Sequence, residues 1–319
     1  MRPTGRLHLG HLVGPLENWV QLQGEYQNFH LIADYHALTT NLDTSNIYKN
    51  TIEVIVDWLA AGIDPRISPM FRQSQIKEHA ELHLIFSMLT TTSRLERNPT
   101  LKEQVRDLRI ENISYGHLGY PVLQAADILL YKGEQVPVGE DQLPHIEIAR
   151  EIARKFNSQY CSSKQIFPEP EGKITKFARL PGIDGKRMSK SVGNTILLSD
   201  QPKEIEQKMK KAVTYPQKVR RGDPGRPEIC LVFTYHQKFN PNNVEEIESE
   251  CRSGKLGCVE CKMKVARNII DYLAPTLEKR IYYEAHLGEV EECLRNGELS
   301  AKKIAKETMA EVHEAMGIG

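Results

Sequence analysis

The sequence predicts an α/β fold: a parallel, doubly wound sheet followed by a helical C-terminal half. Two observations carry this. From Asn28 to Phe156, short apolar runs alternate with runs of helical period. Such alternation is the pattern of strand–helix–strand units, whose parallel strands are buried on both faces. From Pro202 onward the period becomes helical, with few strand signals. The expected boundary falls just after a Ser- and Lys-rich loop, giving units of 1–193 and 194–319.

The elements follow in order. Pro3 to His11 is a Pro- and Gly-punctuated turn, and Leu12, Val13, Leu16, Trp19 and Val20 form one stripe of a following helix. Asn28 to Ala33 reads as a buried strand leading into Asp34-Tyr35-His36. Thr44 and Ser45 are candidate caps for a helix that buries Ile52, Ile55, Val56 and Leu59 and ends at Gly62. Ile67 to Gln73 reads as the next strand and His79 to Leu89 as a helix. Tyr120 to Leu130 is helical after its proline. Val136 to Gly139 is a strand running into a loop, and Leu143 to Phe156 is a long amphipathic helix.

Composition sets bounds on partners. Lys+Arg and Asp+Glu balance at 42 each, so no global field draws nucleic acid, and any contact with it must come from a local patch. The segment 202–221 supplies one, ending Lys218-Val219-Arg220-Arg221. Charges interrupt every apolar run before it reaches membrane-spanning length, and the N-terminus lacks a charged-then-apolar signal pattern. The expectation is a cytoplasmic protein with reduced thiols.

Two runs carry the chemistry. In His8-Leu9-Gly10-His11, two imidazoles three residues apart open a helix, where oriented N–H groups attract anions. Gly10 allows close backbone approach. In Gly182 to Asn194, glycines flank Lys186, Arg187, Met188, Ser189, Lys190 and Ser191, a mobile basic loop that can close over phosphates. Taken alone, each run also reads as an ordinary polar surface turn. Asp127 stands by itself on the apolar helix Tyr120–Leu130. A buried carboxylate needs a partner, which is either the protein's own backbone or a ligand donor.

As an ordered pair about 180 residues apart, the two runs resemble the two signatures of class I aminoacyl-tRNA synthetases, and the segments between them are similar to the tryptophanyl branch. The resemblance covers essentially the whole chain. It implies a Rossmann-type catalytic domain, a helical anticodon-binding domain whose last helices pack back on the first, and a homodimer. It implies ATP with Mg2+, L-tryptophan and the tRNA for tryptophan as substrates. His8, His11 and Lys190 would be catalytic, with Arg187 standing where the family carries its first loop lysine. Arg2, Pro3, Thr4, Gly10, His11, Gly139, Glu140, Asp141, Ala178, Arg187, Met188, Ser189, Lys190 and Ser191 would bind ATP. Tyr120, Gln124, Asp127, Val136, Val138 and Gln142 would bind tryptophan, Asp127 through the indole N–H. Gln73 to Leu82, Ser93 to Arg97 and Lys102-Glu103 fit dimer-side helices, and Arg221 to Pro227 fits the turn into the anticodon domain. The family also carries about seven residues ahead of the position of Met1, forming a first strand that a chain starting at Met1 lacks. A tyrosyl enzyme and a synthetase-like RNA-binding or regulatory protein without catalysis are the rival readings.

Cys230, Cys251, Cys258 and Cys261 are spaced x20, x6 and x2. Four thiols so close in sequence suit a tetrahedral metal or a cubane cluster. Some bacterial tryptophanyl enzymes with similar spacing bind a [4Fe-4S] cluster, which the resemblance extends to these four positions. Zinc and no metal remain the alternatives. Cys161 and Cys293 are isolated in sequence.

Overall fold

The computed structural model describes residues 1–107, 110–174, 180–190 and 192–318. Helix α1 (Leu9–His11) runs through a wider π-helical stretch, Leu12–Leu16, into α2 (Glu17–Leu22). Strand β1 (His30–Ile32) leads to α3 (Asp34–Leu38) and α4 (Ile47–Ala61). Strand β2 (Met70–Arg72) is followed by α5 (Glu78–Leu89), α6 (Thr92–Glu96), α7 (Pro99–Asp107) and α8 (Tyr115–Leu129). Then come β3 (Gln135–Val138), α9 (Leu143–Tyr160) and β4 (Glu171–Ile174). The remainder is helical: α10 (Pro202–Lys211), α11 (Leu231–Phe239), α12 (Val244–Arg252), α13 (Cys258–Ala285) and α14 (Leu287–Met316).

Among the described residues the strands form two parallel pairs. β1 lies on β2 with Leu31 opposite Phe71, and β3 lies on β4 with Val136 opposite Gly172. Met1 extends the first pair: its amine donates to the Leu31 carbonyl at 2.5 Å, and its carbonyl accepts from Ala33 N–H at 2.9 Å. The expected strands at 28–33, 67–73 and 136–139 are thus present but shorter. The second is cut back by Pro69, which has no N–H to give and whose carbonyl instead accepts from His30.

Three sequence expectations need correction. Thr44 and Ser45 do not cap α4; Asn46 takes that position, with no side-chain cap bond. Helix α8 begins at Tyr115, five residues before the expected start, because Ser114 accepts from His117 N–H and caps it. Pro121 then sits inside the helix, where it removes a single backbone bond. β4 was not expected, since Glu171, Gly172 and Lys173 are weak strand formers. Pairing with β3 stabilises it, and Gly172 admits Leu143 where a Cβ would lie 2.7 Å from Leu143 Cδ2.

The core has two large parts. One gathers Leu7, Leu9, Leu16, Ile32 and Trp58 with Met188, Ile196, Leu198, Val232, Ile269 and Leu294. The other gathers Phe71, Phe86, Leu129, Phe156 and Phe167 with Ala301, Ala305 and Met309. α13 therefore packs along α4, and α14 crosses β2 so closely that any Cβ at Gly297 would overlap the Met70 backbone. No helix is long and apolar enough to cross a membrane among the described residues. The C-terminal ends of β1, β2 and β3 open into Asp34-Tyr35-His36, Gln73-Ser74 and Gly139-Glu140, the edge at which parallel sheets gather binding groups.

Candidate active site

The two signatures meet through backbone bonds. Leu9 N–H donates to the Ile196 carbonyl at 2.8 Å and Leu198 N–H to the Leu7 carbonyl at 3.0 Å, so His8 bridges Leu197 just beyond the basic loop. His8 N–H donates to His11 Nδ1 at 3.2 Å, and the rings lie 3.7 Å apart. Burial, together with the charges of Lys190 and Arg187, lowers His8 to about 4. Burial, His8 and the same two cations lower His11 to about 3. Both imidazoles are neutral at pH 7 and can each offer one N–H. His8 Nδ1 is buried with no hydrogen-bond partner among the described residues. Gly10 lies under Met188: a Cβ there would come 3.1 Å from the sulfur and 3.2 Å from His8 Nδ1.

The basic loop is pinned at its base and reaches back to the first turn. Asn194 accepts from Ser189 N–H at 2.7 Å and donates to Asp184 at 2.8 Å and to the Arg187 carbonyl at 3.1 Å. Gly182 is required beside it, since a Cβ would sit 2.6 Å from Asn194 Nδ2. Lys190 Nζ donates to the carbonyls of Thr4 (2.5 Å), Gly5 (3.2 Å) and Arg6 (3.0 Å) and to Thr4 Oγ1 (3.1 Å). Gly5 has φ +87°, which lets the turn present those carbonyls on one side. Pro3 is buried, while Thr4 and the Arg187 side chain are exposed. Arg2 is exposed and donates to Thr40 Oγ1 at 3.2 Å. Ala178 and Ser191 lie outside the described residues.

A second cluster centres on α8. Tyr120, Gln124 and Asp127 share one face by helical spacing. Asp127 Oδ2 accepts from His36 Nε2 at 2.8 Å, and Oδ1 accepts from His79 Nδ1 at 2.8 Å and Gln73 Nε2 at 2.6 Å. His79 is held in turn by the Tyr131 hydroxyl at 2.9 Å. Burial pushes the Asp127 carboxyl up, but the bonds from His36 and His79 outweigh it and hold the group well below the usual carboxylate range. Tyr120 OH meets His145 Nε2 at 2.8 Å, and His145 Nδ1 meets Gln142 Oε1 at 3.1 Å. Burial pushes Tyr120 up to about 12 and His145 down to about 4, so this chain is neutral. Val136 and Val138 lie two apart on β3, and Gly139, Glu140 and Asp141 turn from its end. The Asp141 carbonyl accepts from Thr100 Oγ1 at 2.8 Å.

The sequence reading missed His36, His79, Gln73 and His145. The first three add to the expected partners of Asp127, its own backbone or a ligand donor: the protein supplies three side-chain donors. Gln73 and His79, expected on dimer-side helices, turn toward α8. A usable signal existed, since His36 and Gln73 each follow the C-terminal end of a strand.

The family description "tRNA synthetases class I (W and Y)" matches residues 1–274. The chain belongs to the class I tRNA synthetases of this W and Y group. This synthetase is 48% identical over 325 residues to the tryptophan–tRNA ligase of Thermotoga maritima, covering all of this chain and 98% of the relative. It is 44% identical over 391 residues to the tryptophan–tRNA ligase of Aquifex aeolicus, covering all of this chain and 98% of that one. Its fold superposes on the tryptophanyl-tRNA synthetase of Campylobacter jejuni, a structure complexed with ADP and tryptophan. That likeness has a TM-score of 0.89 at 33% identity and covers all of this chain and 98% of the other.

Four of the six cysteines of the synthetase sit where α11, α12 and α13 converge. Cys230 precedes α11, Cys251 lies in α12, and Cys258 and Cys261 lie in the first turn of α13. All are free and partly buried. Burial pushes the Cys261 thiol up to about 12, with Cys230, Cys251 and Cys258 adding to the effect. His236 Nε2 lies 3.4 Å from Cys261 Sγ. Gly225 N–H donates to the Cys251 carbonyl at 2.8 Å, and a Cβ on Gly225 would overlap the Cys251 sulfur. Among the described residues, no group of three or more His, Cys, Asp or Glu is arranged as it stands to hold a metal ion.

Proposed function

We propose that this protein is a tryptophan–tRNA ligase. It activates L-tryptophan with ATP and Mg2+ and passes the aminoacyl group to the tRNA for tryptophan. One observation carries the reading: Lys190 of the second signature donates to the turn that opens the first, and Leu9 and Leu198 tie the two segments together, so both signatures meet at one site. The curated relatives of full length bear this activity.

In activation, a tryptophan carboxylate oxygen bonds to the α-phosphorus of ATP as the bond to pyrophosphate breaks. No proton moves, so catalysis is positioning and charge stabilisation. His8 and His11, being neutral, donate N–H to phosphate oxygens. Lys190 and Arg187 follow the departing pyrophosphate. Arg2, Pro3, Thr4, Gly10, Met188, Ser189, Ser191 and Ala178 line the nucleotide, and Gly139, Glu140 and Asp141 take the ribose. Tyr120 and Gln142, held by His145, take the α-amino group. Gln124, Val136 and Val138 flank the indole. Of the two Asp127 oxygens, Oδ1 already accepts two donors and Oδ2 one, His36. A carboxylate oxygen has two acceptor sites, so the indole N–H goes to Oδ2.

The two-domain reading, catalytic over 1–193 and anticodon-binding over 194–319, is supported by the change to helices after Pro202 and by α14 packing back on β2 and α5. The lysines and arginines of 202–221 supply a local patch for tRNA. A homodimer in the cytoplasm completes the reading. A [4Fe-4S] cluster on Cys230, Cys251, Cys258 and Cys261, with zinc as the alternative, is supported by an all-thiol donor set and by the cradle that Gly225 leaves around Cys251. When bound, the cluster would supply structural cross-linking of three helices.

Amino-acid-dependent ATP–pyrophosphate exchange tests the activity. Exchange with tryptophan alone is expected. Exchange with tyrosine would favour the sister enzyme, and none with either would favour a non-catalytic RNA-binding protein.

A further inference from the structure

Arg280 on α13 is fully buried, far along the chain from either signature. Its Nη1 donates to Asp57, and its Nη2 donates to Glu53 and, at 3.0 Å, to Glu284. Asp57, also fully buried, stands on α4. Its other oxygen accepts the backbone N–H of Leu7 at 2.6 Å, one residue before His8. Leu7 is buried, so without Asp57 this N–H would be an orphan donor. The far side of the same segment is tied to Ile196 and Leu198. Residues 7–9 are therefore suspended between Asp57 and the stretch that follows the basic loop. Arg6 joins the cluster, with Nε 3.1 Å from Glu53.

Stability alone is a weak reason for this arrangement. A buried ion pair often does no better than apolar residues of the same shape. What an apolar pair could not supply is a fixed acceptor aimed at Leu7. We propose that Arg280 is a positioning residue for the nucleotide site: it holds Asp57 in place, and Asp57 sets the height of His8 and His11 relative to Lys190. The link runs from a helix of the C-terminal half to the first signature. It rests on the reading of His8-Leu9-Gly10-His11 as the ATP site.

The test is calorimetric binding of ATP and of tryptophan to the full chain, with adenylation kinetics, for Arg280→Met, Arg280→Lys and Asp57→Asn. Arg280→Met should weaken ATP binding at least tenfold and leave tryptophan binding within twofold, with Arg280→Lys intermediate. A purely structural role would lower the melting temperature and weaken both ligands alike, or neither, and either result overturns the proposal. Should Arg280→Met fail to fold, the near-isosteric Asp57→Asn decides. It should weaken ATP at least threefold with tryptophan unmoved, and wild-type ATP affinity overturns the proposal. His11→Ala is measured alongside. If it leaves ATP affinity unchanged, the nucleotide-site reading fails and takes the inference with it. If it weakens ATP while the Arg280 and Asp57 variants do not, the inference alone fails.

Discussion

Lys190 and Thr4, 186 residues apart in sequence, are joined by a 2.5 Å bond from Nζ to the Thr4 carbonyl and a second to its hydroxyl at 3.1 Å. The acceptors are neutral, and burial pushes the ammonium's pKa down, with Asp57 opposing the shift. Charge-assisted bonds to phosphate are stronger than bonds to neutral carbonyls. If ATP binds over His8 and His11 as proposed, its phosphates would offer Lys190 a better set of partners than these carbonyls.

The consequence is kinetic. Lys190→Ala should slow tryptophan-dependent pyrophosphate exchange by about 10²-fold or more while tryptophan affinity stays within about twofold, the pattern of a contact made chiefly in the transition state. Exchange close to the wild-type rate would remove Lys190 from the chemistry.

Asp127 makes a two-part prediction. Asp127→Ala strands His36, His79 and Gln73 as well as removing the acceptor proposed for the indole N–H, so it should lower the melting temperature and also reduce kcat/KM for tryptophan. The second loss should be about 1.5–3 kcal/mol, the worth of a hydrogen bond to a charged group. The folded carboxyl titrates below its unfolded value. Its stabilisation is therefore fully present above about pH 4 and is lost as pH falls through the folded pKa. The melting-temperature gap between wild type and Asp127→Asn should hold at neutral pH and narrow under acid. A gap that widens in acid, or unchanged tryptophan kinetics for the Ala variant, contradicts this account.

The periodic elements were legible because each is set by local pattern: β1, α4, α9 and the helical second half appear where apolar spacing puts them. The signatures were legible as strings. The ties between elements were not. His36, Gln73 and His79 converge on Asp127 from three separate elements, and Arg280 meets Asp57 across 223 residues. No spacing rule connects such pairs. Only the demand that a buried charge find partners points to them, and that demand does not say which residues answer. β4 escaped for a related reason, since its stability comes from β3 and not from its own sequence.

His8 and His11 predict a pH dependence. Their folded values, about 4 and about 3, lie below the unfolded value near 6.5. The unfolded chain thus binds more protons in the window between, and stability falls as pH drops below about 6.5. His30, at about 3, and His236, at about 4, act in the same direction. In NMR titration the His11 ring signals should stay unshifted from pH 8 down to about 5, and His11→Gln should flatten the loss of stability over the window. A His11 midpoint near 6.5 would show that the ring is solvated and charged at the nucleotide site.

The cysteines give the last test. If Cys230, Cys251, Cys258 and Cys261 share one cubane, protein prepared without oxygen should be brown and contain iron and sulfide in equal amounts. Cys258→Ser or Cys261→Ser should abolish the colour, because each iron takes its own thiolate. Cys293→Ser should not, as Cys293 lies on α14, outside the four-thiol cluster. The thiols as they stand are not arranged to hold an ion. Loading should therefore draw α12 and the first turn of α13 together, which hydrogen exchange would register as protection at Cys251 and Cys258–Cys261. Tryptophan activation should largely survive the Ser replacements, because the catalytic signatures lie in the other half of the chain, whereas charging of tRNA should fall. Zinc in place of iron would give a colourless protein with the same protection pattern, and metal-free protein with full tRNA charging would dismiss a metal at these thiols altogether.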